Sequence, residues 1–232
     1  MSKKIKFIIS PTSEHTLFPP KPSSKELPNW YKNTPSYIDD QGKKWIDQNH
    51  PSTIKGCIPV FDALTAGYIL YTSSDLQVTQ KNGETEYLSR GKRSIIELHG
   101  LNQAPLHPLK NGNPYPKWIN PYGIKTPRGY STLFTMPMHR ESVFTIFSGI
   151  VDTDKYSAAV HFPFVLKDPK WEGIIPAGTP MAQAIPFKRD FWKYEICSDE
   201  YNVRQKQIDS NNLMALLFNS YKKQFWSSKQ YK

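Results

Sequence analysis

Hydrophobic positions recur along this chain in short runs, often with a period of two, and turn-forming residues cut the runs apart. Leu76-Gln77-Val78-Thr79 alternates apolar and polar side chains, Asn82-Gly83 follows as a hairpin turn signal, and Glu86-Tyr87-Leu88 returns beside it. Ile58-Pro59-Val60-Phe61, leading into Gly67-Tyr68-Ile69-Leu70-Tyr71, reads as further strand. Between residues 123 and 187 the runs come at regular distances: Gly129–Phe134, Val143–Phe147, Ala159–Phe164, Gly173–Ile175 and Met181–Ile185. This rhythm predicts a mainly β domain, a barrel or jelly roll.

The flanks read differently. Lys6-Phe7-Ile8-Ile9 predicts a short strand, after which Pro11, Pro19, Pro20, Pro22 and Pro28 allow only an extended arm, with Trp30 and Tyr31 as its anchors. Residues 100–122, rich in Pro, Gly and Asn, predict a long structured loop. From Asp199 onward proline and glycine disappear. Val203, Ile208, Leu213, Met214, Leu217, Tyr221 and Phe225 then fall near a helical period, with Asp199 as N-cap. The expected organisation is an N-terminal arm over 1–53, a β domain over 54–190 with a loop insertion at 100–122, and a C-terminal helical tail over 191–232.

Composition changes this picture in three ways. Aromatic residues make up 13% of the 232 residues, enough large side chains for a packed core. The net charge of +10 sits mainly at the ends, since residues 1–60 and 188–232 each carry nine basic and five acidic side chains. Such ends suit acidic partners, nucleic acid contact among them. Cys57 and Cys197 lack metal-type spacing and are expected as free, buried thiols in a reducing compartment. The basic start Met1-Ser2-Lys3-Lys4-Ile5 leads into proline and charge rather than a long apolar run, so neither a signal peptide nor a membrane partner is expected. The six histidines show no paired metal spacing.

Candidate chemistry lies in three segments: Ala66-Gly67-Tyr68-Ile69-Leu70, Gly149-Ile150-Val151-Asp152-Thr153-Asp154 and Ala177-Gly178-Thr179-Pro180-Met181-Ala182-Gln183. In this order they resemble the motifs of trimeric all-β dUTPases and of the related dCTP deaminases. The resemblance covers about residues 60–187 and implies a dUTPase-like β-clip fold. It also implies that Asp152 would be the general base that activates water. Tyr156 would pack on the base, Tyr130 would belong to the pocket, and Arg140 and Gln183 would meet phosphate.

The departures from the pattern fall on the polar positions. Ile69 stands where the family has an Asp near the metal, and an alkyl chain offers no oxygen to Mg²⁺. After Pro127-Arg128-Gly129-Tyr130, the family's Arg-Ser pair is absent in register; Arg140 and Ser142 lie nearby with Glu141 between them. Lys155 intervenes before Tyr156, and a one-residue slip in a strand turns a side chain to the other face. The glycine-rich closing motif of dUTPases and the catalytic Glu of the deaminases have no counterparts.

Leu27–Lys32, Lys55–Pro59, Asp62–Tyr68 and Ile185–Arg189 further resemble uncharacterised proteins of tailed bacteriophages. The expected function is therefore a non-enzymatic β-clip protein, a homo-oligomeric virion or assembly component in the host cytoplasm or virion, with other virion proteins as partners. The alternatives are a nucleotide sponge or sensor using Tyr130, Arg140, Asp152, Tyr156 and Gln183, and a divergent pyrophosphatase or deaminase. Only the enzymatic alternative calls for a cofactor: Mg²⁺, with Asp152 as base and Asp154 at the metal.

Overall fold

The structure, a computed structural model, describes residues 3–9, 18–38, 44–45, 53–91, 93–100, 115–197, 200–206, 209, 222 and 225–232. Its strands in chain order are β1 (Lys6–Ile8), β2 (Lys21–Pro22), β3 (Tyr37–Ile38), β4 (Lys44–Trp45), β5 (Tyr68–Tyr71), β6 (Leu76–Lys81), β7 (Glu84–Ser89) and β8 (Ile96–His99). They continue with β9 (Tyr115–Trp118), β10 (Gly123–Lys125), β11 (Tyr130–Thr135), β12 (Phe144–Ile146), β13 (Gly149–Val151), β14 (Phe162–Leu166), β15 (Gly173–Ile175) and β16 (Pro180–Lys188). Among the described residues the helices α1 (Asn29–Asn33) and α2 (Ile58–Thr65) accompany them. The fold is mainly β, and every strand pairing among the described residues is antiparallel.

The chain divides into two compact units, Met1–Glu26 with Gly67–Arg189, and Leu27–Ala66 with Asp190–Lys232. In the first, a five-stranded sheet runs β13-β11-β16-β5-β2, a four-stranded sheet β12-β14-β9-β8, and a three-stranded sheet β15-β6-β7. The core between them is aromatic: Trp118 stacks on Phe164 with ring centroids 4.5 Å apart, and Phe144 and Phe162 are buried in the same cluster. Alternation is as the sequence predicts in β6, where Leu76 and Val78 are fully covered. The Asn82-Gly83 turn has φ of 52° and 83°, the left-handed pair that a two-residue hairpin turn needs.

Gly67 positions the functional sheet. Its φ is +65°, and a Cβ there would stand 2.0 Å from the Ala184 carbonyl oxygen. Only glycine lets β5 approach β16 this closely. All three motif-like segments thus meet in one sheet, with Ile69 opposite Gln183 and Thr132 opposite Val151.

In the second unit Tyr31 is buried, packs near Phe61 at 6.4 Å and donates to the Lys55 carbonyl. Asp62 on α2 accepts from the Trp226 indole N–H at 3.0 Å and from Lys229 at 2.6 Å.

Several expectations are corrected. Ile58–Phe61 is not strand but the start of α2: Pro59 has no N–H to lose in a first helical turn, and the Phe61 N–H closes on the Cys57 carbonyl. The proline-rich stretch 100–122 contains strand β9. Pro116 is tolerated because pairing with β14 stops at Lys117, so no ladder bond is asked of its nitrogen on that flank. Cys57 and Cys197 are both free, yet Cys197 is exposed and Cys57 only half-buried. Residues 201–206 are helical, as predicted for the tail, while Asp199, Ile208, Leu213, Met214, Leu217 and Tyr221 lie outside the described residues. No helix among the described residues is long and apolar enough to cross a membrane.

Candidate functional site

Strand β13 ends at Val151, and the chain then turns through Asp152-Thr153-Asp154-Lys155. The Lys155 and Tyr156 N–H groups both close on the Asp152 carbonyl, at 2.9 and 2.8 Å. Thr153 is the buried pin of this turn. Its hydroxyl lies 2.8 Å from those of both Thr126 and Thr132, and its carbonyl accepts the Thr126 N–H. With Thr153 turned inward, the flanking Asp152 and Asp154 are directed toward the start of β11 and the end of β16.

There a single guanidinium meets both carboxylates. Arg189 donates to Asp154 from two nitrogens, Nη1 to Oδ1 at 2.8 Å and Nη2 to Oδ2 at 2.5 Å. Its Nη1 also stands 2.9 Å from Asp152 Oδ1 and 3.1 Å from Ser131 Oγ. The Ser131 hydroxyl donates to Asp152 Oδ1 at 2.7 Å, and the Gly129 N–H donates to Asp154 Oδ2 at 2.8 Å. Asp154 is nearly covered, its side chain 4% exposed, while Asp152 keeps about half of its surface.

These contacts set the ionisation. The Arg189 guanidinium holds the Asp154 carboxyl far below the usual carboxylate range, helped by the Gly129 N–H. Asp152 is lowered by the Ser131 hydroxyl first, then by Arg189 and Lys155. Arg189 itself is raised by Asp154 and then by Asp152. Both aspartates are therefore anions that share one guanidinium, with neutral hydrogen bonds from Ser131 and Gly129 beside it. A carboxylate with a depressed pKa is a weak base, so this turn is poorly matched to proton abstraction near neutral pH.

The remaining candidate residues are distributed along β11. Tyr130, at its start, has the Lys3 ammonium 4.5 Å from its ring centroid and in contact with its hydroxyl. Tyr156 is 53% exposed and lies in the turn beyond β13, so the face-slip expected of a strand residue does not apply to it. Gln183 sits at the far end of β11, opposite Thr135, five residues or roughly 17 Å from Tyr130. It is buried, and its side-chain oxygen accepts the Met138 N–H at 2.9 Å. Arg140 donates to the Glu26 carbonyl; burial lowers its pKa while Tyr71 and Glu26 oppose that shift. Asp152 thus meets the start of β11 through Ser131, with Tyr156 following in the same turn, and Arg140 and Gln183 belong to the other end of the strand.

Ile69, in place of the metal-side Asp, is fully buried between β16 and β2. Asp75 does not substitute for it: its Oδ1 accepts the Ala177 N–H at 2.8 Å and holds the loop before β16. The residue that sequence reasoning missed is Arg189. The available signal was its place at the end of the apolar run 181–187, whose pairing with β11 sets Lys188 opposite Tyr130.

No protein-family model and no curated protein matches the chain. Among solved structures it is similar to phage dUTPases. One is an Asp-to-Asn mutant of the dUTPase from phage phi11 of S. aureus, described with a structural Mg(II) ion. It shares 12% identity over 59% of this chain and 86% of that one, with a TM-score of 0.32. Another is a Gly-to-Ser mutant of the Staphylococcus bacteriophage 80alpha dUTPase with dUpNHpp, at 12% identity over 78% and 88% and the same TM-score of 0.32. At that distance the chemistry of the site is read from its own atoms.

Proposed function

We propose that this chain is a non-enzymatic dUTPase-like β-clip protein, an oligomeric structural or assembly component of a tailed phage. The observation that carries the reading is the clamp of Arg189 on Asp154 and Asp152. A catalytic pair poised for water and a cation needs lone pairs available to them. Here those of Asp154 are taken by Arg189 and Gly129, and Asp152 is drawn on by Arg189 and Ser131.

The other polar positions support the same reading. Ile69 offers no oxygen, Gln183 is engaged by Met138, and Arg140 by Glu26. By contrast, the glycine that the sheet requires, Gly67, is kept. The assignment to a phage assembly draws on the sequence resemblance, and the basic ends suit acidic neighbours.

The test is turnover. Incubation with dUTP or dCTP and Mg²⁺ is expected to release neither pyrophosphate nor ammonia. A turnover that Asp152→Asn abolishes overturns the reading. A second reading, nucleotide binding without turnover, is favoured by the exposed Tyr156 ring in the same turn as the half-open Asp152. It predicts thermal stabilisation by one nucleotide that Tyr156→Ala removes; a flat response across a nucleotide panel excludes it.

A further inference from the structure

We propose that the β1–β10 ribbon and the turn after it form a docking face for the phosphate backbone of a nucleic acid, with Lys6, Lys125 and Arg128 at its centre. Such a face would serve a structural protein or an enzyme alike, so it stands or falls apart from the reading above.

The register of one ladder sets two like charges together. Lys6 lies directly opposite Lys125, and Phe7 directly opposite the fully buried Ile124. Phe7 packs on the core, so alternation turns both lysines outward on one face, where they are exposed. Directly opposed residues hold their Cβ atoms about 5 Å apart, and like charges there weaken a sheet. Among the described residues no carboxylate forms an ion pair with either lysine. An anion shared between the two ammonium groups removes the repulsion, and a phosphate has the oxygens to accept from both.

Further cations extend this face. Lys3 and Lys4 precede β1, and Lys3 reaches the Tyr130 ring. Arg128 is exposed in the turn between β10 and β11, likewise without an ion pair among the described residues. Its turn is held on both sides: the Thr126 N–H donates to the Thr153 carbonyl, and the Gly129 N–H to the Asp154 carboxylate. The cations therefore stand on backbone that is already in place, which lowers the ordering cost of binding.

Acidic residues are kept away from it. None occurs in residues 1–9 or 115–130. Asp152 and Asp154, the carboxylates of the neighbouring turn, are engaged by Arg189, and Asp190 follows Arg189 in the chain. In the same compact unit Glu84 and Glu86 lie on β7, Glu97 on β8 and Glu172 beside β15. Charge segregated in this way steers a polyanion to one face. A membrane surface would call for apolar side chains projecting with the cations. Here Phe7 and Ile124 turn inward, and Ile8, 47% exposed, reaches out beside the lysines. A phosphodiester chain repeats one sign of charge along a regular backbone, which matches a patch without interspersed acids.

Anisotropy of a short labelled DNA duplex of mixed sequence tests this with the full chain. Binding is expected at low salt, with affinity falling about a hundredfold between about 50 and 200 mM salt. Lys6→Gln/Lys125→Gln/Arg128→Gln is expected to bind at least about tenfold more weakly, with the slope of log affinity against log salt shallower by about 2 to 3. Lys81→Gln/Lys167→Gln/Lys170→Gln removes the same charge from exposed positions elsewhere and is expected to stay within about threefold of the parent. Equal losses in the two variants, or no binding by the parent, overturn the proposal. Vesicles rich in phosphatidylserine and poly-glutamate are the competing partners. Either one bound as tightly as the duplex, and lost in the patch variant, overturns the assignment to nucleic acid.

Melting curves check that both variants keep the fold. Should the patch variant melt early, acetylation of the parent's lysines with and without the duplex, read by mass spectrometry, supplies the readout. Protection of Lys6 and Lys125 above that of Lys81 and Lys167 supports the docking face, and even protection overturns it.

Discussion

Arg189 grips Asp154 with both terminal nitrogens, at 2.8 and 2.5 Å, although 35 residues separate them in the chain. The pair joins the end of β16 to the turn after β13, across β11, and a carboxylate that is 4% exposed depends on it. Removing the cation leaves that carboxylate nearly buried and unpaired, the costly half of breaking an ion pair. Arg189→Ala is therefore expected to lower the melting temperature clearly more than Lys155→Ala does, and calorimetry of the two variants checks it.

The same pair fixes a pH dependence. The Asp154 pKa is lowered in the folded chain, so the unfolded chain binds its proton first as pH falls. The stabilisation is complete above about pH 4, the ordinary aspartate value, and is lost as pH drops toward the lowered one. Denaturant midpoints measured from pH 6 down to pH 2 are expected to fall less steeply in Asp154→Asn than in the parent chain.

At Gly67 backbone strain and collision act together, whereas at Gly83 only the first applies, since nothing lies within 4 Å of a Cβ there. Gly83→Ala is expected to cost about 1 kcal/mol, and Gly67→Ala more than about 3 kcal/mol because the Ala184 carbonyl must move as well. Urea midpoints of the two variants separate the terms.

Ile69→Asp would introduce the residue type that the resembled dUTPase motif carries. The side chain is fully covered, so a carboxylate there is taken out of water in the middle of a sheet. The expected result is a loss of more than about 3 kcal/mol of stability with no gain of dUTP turnover. Equilibrium unfolding and a pyrophosphate assay on the same preparation check both halves.

Burial pushes the Tyr87 hydroxyl up to about 12, with its ring edge-on to Phe164 at 6.1 Å. The folded chain keeps the proton that the unfolded chain gives up near pH 10, so this contribution is present below pH 10 and lost as pH rises toward 12. In an absorbance titration of tyrosine ionisation, Tyr87→Phe is expected to remove part of the late-titrating signal.

Much of the β unit was legible in the sequence because its determinants are local. Asn82-Gly83 adopts the paired positive φ angles that its residue types favour, and the alternation of Leu76 and Val78 matches their burial. The β15 run, Gly173–Ile175, lies where the sequence sets it. The helix α2 was not legible: four residues with two β-branched side chains and a proline suit a strand or a first helical turn equally well, and the fold takes the helical turn, closed by the Phe61 N–H on the Cys57 carbonyl. Strand β9 was hidden for a related reason, since Pro116 is acceptable only where a partner strand stops short.

The candidate site divides the same way. Sequence order alone determined that the three motif-like segments are present and that Ile69 cannot hold a cation. Only the tertiary structure decided what those carboxylates do, because their partner comes from a strand end 35 residues on, brought beside them by the pairing of β16 with β11. Residue types and spacing report local preference and available chemistry. Whether a charge is free to react depends on which distant groups the sheet register sets within hydrogen-bonding reach, and here the register sets Arg189 there.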